Sequence, residues 1–129
     1  MLWLLFNQSV WWMMNKFVVF LSIWMIFSCE DVIVKNIESE EIGLQGPPAD
    51  LNTSAKSLSF SWNELDGASN YQLLVVSPDI KAPVNFLLDT ILTDTKFDFQ
   101  IAVGKYEWCV RGLNSGYKTD YSCRSVVVN

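Results

Sequence analysis

From residue 47 onward, hydrophobic and polar positions alternate with a period of two. Leu58, Phe60 and Trp62 are interleaved with Ser59 and Ser61. Successive side chains of an extended chain point to opposite sides, so this is a strand with one face in a core and the other in water. Residues that favour turns interrupt the alternation at 63–70, which contains Asp66-Gly67, and again at 77–83, 93–95, 103–104 and 114–116. The intervals predict strands at 50–53, 58–62, 71–76, 86–92, 96–101, 106–113 and 121–128. No segment spaces its apolar residues at 3.6. Seven short strands in about 80 residues predict an all-β domain, a seven-stranded β-sandwich.

The first 28 residues follow a different pattern. Residues 17–27 form an 11-residue apolar run interrupted only by Ser22, preceded by Asn15-Lys16 and followed by Ser28-Cys29. A membrane-spanning helix needs about 20 apolar residues, so the run has the length of the hydrophobic core of a signal peptide. Ile26-Phe27-Ser28-Cys29 resembles a bacterial lipobox, with a small residue just before the cysteine and, in Phe27, a bulkier residue than the common pattern carries. The resemblance implies a signal peptide at 1–28, a diacylglyceryl group on the Cys29 sulfur and cleavage before it. The alternative is an uncleaved anchor in which Cys29 is an ordinary thiol. Either arrangement holds the domain at a membrane. A signal that starts at Met13 or Met14 would read Met-Asn-Lys and then the apolar run, so the start is expected there.

Glu30 and Asp31 follow Cys29 directly. In Bacteroidota-type lipoproteins an acidic cluster at that place resembles a signal for display on the outer face of the outer membrane. The expected localisation is therefore the cell envelope, lipid-anchored to the outer membrane and surface-exposed. Residues 30–46 carry five acids against Lys35 and lead into Gly46-Pro47-Pro48. Such a stretch reads as an acidic flexible linker, 29–46, leading to a domain at 47–129.

Composition removes several functions. The 129-residue chain has no histidine, which excludes a Ser-His-Asp triad, a Cys-His dyad and a histidine metal site. All 14 acidic residues follow Ser28, against eight of the nine basic ones. A domain without a basic stripe is a poor partner for nucleic acid, whose non-specific affinity comes from neutralised phosphates. The carboxylate pairs Glu64/Asp66 and Asp94/Asp98 sit in or beside turns, where nothing desolvates them to raise a pKa for acid–base work. Asn52-Thr53-Ser54 matches a glycosylation acceptor, which matters only in a eukaryotic secretory route. No enzyme activity, cofactor or metal is expected.

Several segments together resemble a fibronectin type III domain: Ser-Phe-Ser-Trp-Asn, then Asp-Gly-Ala-Ser-Asn-Tyr-Gln-Leu, Leu-Asp-Thr, and Gly-Lys-Tyr-Glu-Trp-Cys-Val-Arg-Gly-Leu-Asn. The resemblance covers the whole of 47–129. It implies that Trp62 is the core tryptophan of the second strand, Tyr71 the tyrosine of the third and Tyr106 the tyrosine of a tyrosine corner in the sixth. Periodicity independently places Trp62, Tyr71, Tyr106 and Trp108 in the core. The outward phase of 106–113 carries Glu107, Cys109, Arg111 and Leu113, which is no aromatic platform for sugars. Tyr117 and Tyr121, flanking the last hairpin, remain as candidate ligand contacts.

Cys109 and Cys123 are equidistant from Gly116, the centre of the predicted turn. A symmetric hairpin sets them opposite each other, where β-carbons lie about 4.5–5.5 Å apart and a disulfide can form. Closing the loop is worth at most about 3 kcal/mol. Two free thiols are the alternative. The disulfide leaves Cys29 without a protein partner, and lipidation accounts for it. The functional expectation is a membrane-anchored, non-catalytic binding or scaffold module that contacts an envelope protein through loops 63–70 and 114–119 or an edge strand. The alternative is a glycan-binding accessory lipoprotein of a polysaccharide-uptake system.

Overall fold

The computed structural model describes residues 33–129. The expected signal segment, its start at Met13 or Met14, the lipidation site Cys29 and the acidic pair Glu30-Asp31 lie outside the described residues. Leu58, Phe60 and Trp62 are buried while Ser57 and Ser59 are exposed, as the alternation requires of β3 (Ser57–Trp62). The same logic yields β2 (Leu51–Thr53), β4 (Asn70–Ser77), β5 (Asn85–Leu92), β6 (Lys96–Gln100), β7 (Gly104–Leu113) and β8 (Ser122–Val128). These are the seven expected strands, with ends shifted by at most two residues. An eighth, β1 (Leu44–Gly46), precedes them.

The strands form two sheets, β1-β3-β6 and β2-β8-β7-β4-β5. All neighbours are antiparallel except β2 and β8, which run parallel with Leu51 opposite Val126. The core lies between the sheets. From the smaller sheet come Leu58, Phe60 and Trp62, and from the larger Tyr71, Leu73, Val75, Tyr106, Trp108, Val110, Val126 and Val128. Two aromatic contacts span the interface. Phe60 meets Trp108 at a centroid distance of 5.1 Å, and Trp62 meets Tyr71 at 5.9 Å, both tilted as ring quadrupoles prefer. Tyr71 also turns its hydroxyl to the backbone N–H of Leu65, 3.0 Å away, tying the 63–69 turn to the core.

Tyr106 is buried in the same core, and its hydroxyl donates to the carbonyl of Ala102 at 2.9 Å. This bond fixes the turn that enters β7. Tyr106→Phe keeps the ring and removes the bond, so it should cost about 1 kcal/mol, read from urea unfolding.

Residues 34–46 correct the flexible-linker expectation. Ile37 and Ile42 are buried, β1 pairs with β3 through Leu44 and Trp62, and the compact unit runs Val34–Asn129. The acids misled because Glu38, Glu40 and Glu41 are all exposed, lying between two inward-pointing isoleucines. Counting charge over the segment hides that pattern. Specific bonds then hold the strap. The Asn114 side-chain amide donates to the carbonyls of Lys35 (2.8 Å) and Gly67 (2.9 Å). At the other end Arg124 donates to the carbonyls of Leu44 (2.7 Å) and Pro47 (3.1 Å). Gly67 has φ +91°, and a β-carbon there would lie 2.8 Å from the Lys35 stem, so glycine permits both the turn and the strap's approach.

Candidate functional site

The two sheets present unlike surfaces to solvent. On the smaller sheet the outward phase is Ser57, Ser59 and Ser61 from β3 and Lys96, Asp98 and Gln100 from β6, with Ser59 donating to the Asp98 carboxylate. These are short or strongly hydrated side chains. On the larger sheet the phase opposite the core brings together Gln72, Leu74 and Val76 of β4 with Glu107, Cys109 and Arg111 of β7. Register sets Gln72 opposite Arg111 and Leu74 opposite Cys109. Sequence periodicity had placed Glu107, Cys109 and Arg111 on this side, and the structure agrees.

Cys109 and Cys123 are opposite each other in the β7–β8 register and joined by a disulfide, with Cα atoms 4.1 Å apart. The bridge therefore lies outside the inter-sheet core, on the outer face. There Leu74, Val76 and Cys109 form a second small apolar cluster, with Ile80, Tyr121 and Cys123 packed against it. The 78–84 loop folds back onto this face, and the backbone N–H of Ile80 donates to the Glu107 carboxylate at 2.8 Å. Glu107, Cys109 and Cys123 come close enough to suggest a metal cluster. Yet the two sulfurs are bonded to each other and Glu107 already accepts from Ile80, so this set offers no free thiolate to a cation.

Beside the cluster a polar row runs from Tyr121, the residue just before β8, across β7, β4 and β5. The Arg111 guanidinium lies over the Tyr121 ring, 4.6 Å from its centroid. Arg111 Nε donates to Gln72 Oε1 at 2.8 Å, and Gln72 Nε2 donates to Asp89 Oδ1 of β5 at 2.7 Å. Each group orients the next, so an aromatic ring, a cation, an amide and a carboxylate are held in sequence on a rigid sheet. Exposed Phe86 and Ile91 flank Asp89 along the same edge.

Burial pushes the Tyr121 phenol above its usual range; the Arg111 charge pulls it down and that of Asp89 raises it. A phenol whose folded pKa exceeds its unfolded value of 10.0 contributes stability below that pH and loses it as pH climbs through the folded value. Phenolate absorbance, taken as the difference between the protein and its Tyr121→Phe variant, should show Tyr121 ionising above pH 10.0. Arg111→Gln should move it higher still.

Other expected site residues occupy different places. Trp62, Tyr71, Tyr106 and Trp108 are in the core. Loops 63–70 and 114–119 meet at one end of the sandwich, where Asn114 is committed to holding Lys35 and Gly67 and its Oδ1 accepts from the N–H groups of Gly116 and Tyr117. That makes Asn114 a clamp. Tyr117 is half-buried in this loop, whereas Tyr121 belongs to the polar row; among the described residues no hydrogen bond or ring contact joins them. Asp66 pairs with Lys35 at 2.7 Å. That hydrogen bond, with the lysine charge, lowers the Asp66 pKa, the reverse of what a general acid needs.

Gln72 and Asp89 were missed by sequence reading. One signal was available: the hairpin symmetry that pairs Cys109 with Cys123 also pairs Arg111 with Tyr121. Reaching Gln72 and Asp89 requires the β4–β7 and β4–β5 registers, which no short turn fixes.

No family model matches the chain, and no curated protein matches it. Solved structures do. A fibronectin type III domain derived from the human KIAA0970 protein aligns with a TM-score of 0.55 at 11% identity, over 78% of this chain and 85% of that one. The fibronectin type III domain of human fibronectin type III domain containing protein 3 aligns at 14% identity with a TM-score of 0.43, over 70% and 87% of the two chains. The first alignment, with the two-sheet topology and no helix among the described residues, shows the fold: an all-β fibronectin type III sandwich.

Proposed function

We propose that this protein is a membrane-anchored, surface-facing binding or scaffold module without catalytic activity, which contacts its partner through the outer face of the five-stranded sheet. The observation that carries the reading is the asymmetry of the two outer faces. One is serine, lysine, aspartate and glutamine; the other sets Tyr121, Arg111, Gln72 and Asp89 beside exposed Phe86 and Ile91. Tyrosine and arginine are over-represented among the residues that dominate binding energy at protein interfaces, and phenylalanine is enriched there. A fold shared with interaction modules agrees with this as an analogy.

The anchor rests on the lipobox-like Ile26-Phe27-Ser28-Cys29 and on the pairing of Cys109 with Cys123, which leaves Cys29 as the odd cysteine. Intact mass of the protein taken from its native membrane tests it. A chain beginning at Cys29 plus a lipid-sized increment, gaining two mass units on reduction, is the expected result. An unmodified chain retaining residues before Cys29 would reject lipidation. Outer-membrane display is part of the same proposal and would appear as Cys29-anchored protein accessible to protease added to intact cells.

A second reading, glycan binding in polysaccharide uptake, draws on Tyr121 standing beside planar polar groups of the kind that hold sugar hydroxyls. Retention on insoluble polysaccharides, lost in a Tyr117→Ala/Tyr121→Ala variant, would favour it. Passage through every glycan tested would remove it.

A further inference from the structure

β5 is the outermost strand of the five-stranded sheet, paired with β4 on one side only. Among the described residues no backbone bond outside that ladder involves Asn85–Leu92. Three of the five exposed large apolar side chains lie on it or just before it: Val84 at 75%, Phe86 at 64% and Ile91 at 61% exposure. Proteins usually blunt such an edge with lysine, proline, short strands or bulges, because its free N–H and C=O groups recruit another strand. Asn85–Leu92 contains no lysine, arginine, proline or glycine, and its single charge is Asp89. The one irregularity is a bulge at Leu87; Leu88–Leu92 pairs regularly with β4 and offers a straight edge.

Charge decides what can be added. Two β5 strands paired antiparallel about a twofold axis keep their outer faces on the same side, so only residues of one phase can stand opposite each other. Centring such a pair on Asp89 sets the two carboxylates against each other, and centring it on Thr90 sets each against Ile91 of the other copy, so neither arrangement gives Asp89 a cation. Like charges directly opposite are destabilising, and each full chain carries a net charge of −5. A strand with lysine or arginine at that place meets neither obstacle.

We propose that β5 is a docking edge for an extended segment of another protein, which adds a sixth strand to the sheet. The segment carries a basic residue opposite Asp89, flanked on the same face by apolar residues that cover Phe86 and Ile91. Main-chain hydrogen bonds hold the added strand, and alternate side chains select it. This deepens the binding-module reading and rests on it, using the sheet's edge in addition to its face.

The test uses the full chain in detergent micelles and two labelled nine-residue peptides. Both carry valine at odd and threonine at even positions, except for position five, which is lysine in one and glutamate in the other. Fluorescence anisotropy should show the lysine peptide binding about three- to tenfold more tightly. Asp89→Asn should abolish the preference, Asp89→Lys should reverse it, and Ile91→Lys should weaken both peptides. Amide exchange should slow within Asn85–Leu92 when the lysine peptide is added. Binding of neither peptide overturns the proposal, as does a preference that survives Asp89→Lys. A concentration-dependent dimer that Ile91→Lys dissolves would also overturn it, giving the edge to a second copy. A chain that binds neither peptide but still contacts its partner through Tyr121 loses the docking edge and keeps the outer face.

Discussion

Trp108→Ala is expected to remove most of the stability of the domain. Trp108 is fully buried at the centre of β7, packs on Phe60 across the two sheets, and its indole N–H has no hydrogen-bond partner among the described residues. What holds it is therefore packing and exclusion from water. A buried tryptophan cut to alanine costs about 3–5 kcal/mol, because lost transfer energy is compounded by a cavity that the surroundings fill only in part. Domains of this size have about 5–15 kcal/mol in total. The variant should unfold at much lower urea concentration, with a midpoint shift several times that of Tyr106→Phe. Trp108→Phe, which keeps a ring against Phe60, should recover a large part of the loss. An alanine variant within about 1 kcal/mol of the parent would mean that the core is not built around this contact.

Ile37→Asp carries the second large effect, about 3–5 kcal/mol, because it removes a fully buried aliphatic group and puts an unpaired charge in its place. The cost is capped by an alternative: the strap can detach and carry β1 away from β3. Amide exchange separates the two consequences. Residues 34–46 and the β3 backbone facing β1 should lose protection, while β4 and β7 keep theirs. If residues 34–46 were an acidic tether, the substitution would add one more acid to a solvated segment and change nothing measurable.

These two positions also mark how far the sequence could be read. Strands such as Ser57–Trp62 announce themselves because one face is buried and the other solvated, so hydrophobicity alternates without exception. The β7–β8 pairing was legible because a single short turn fixes it, and that turn sets Cys109 opposite Cys123. The strap was not legible. β1 is three residues long, too short for period-two statistics, and Ile37 and Ile42 are separated by exposed acids. The parallel β2–β8 pair joins the first predicted strand to the last, a long-range contact with no local signature. The polar row was hidden for a similar reason. Gln72 meets Arg111 across 39 residues of sequence and Asp89 across 17, and only the assembled sheet sets them in line.

The sharpest test of the account is where a partner touches the domain in living cells. A photo-crosslinking phenylalanine analogue would be placed, one site at a time, at Gln72 and Tyr121 on the outer face of the five-stranded sheet and at Ser59 on that of the three-stranded sheet. The account predicts one common adduct from Gln72 and Tyr121, abolished when Arg111→Glu is added, and none from Ser59. Adducts from Ser59 alone, or equal yields from both faces, would contradict it.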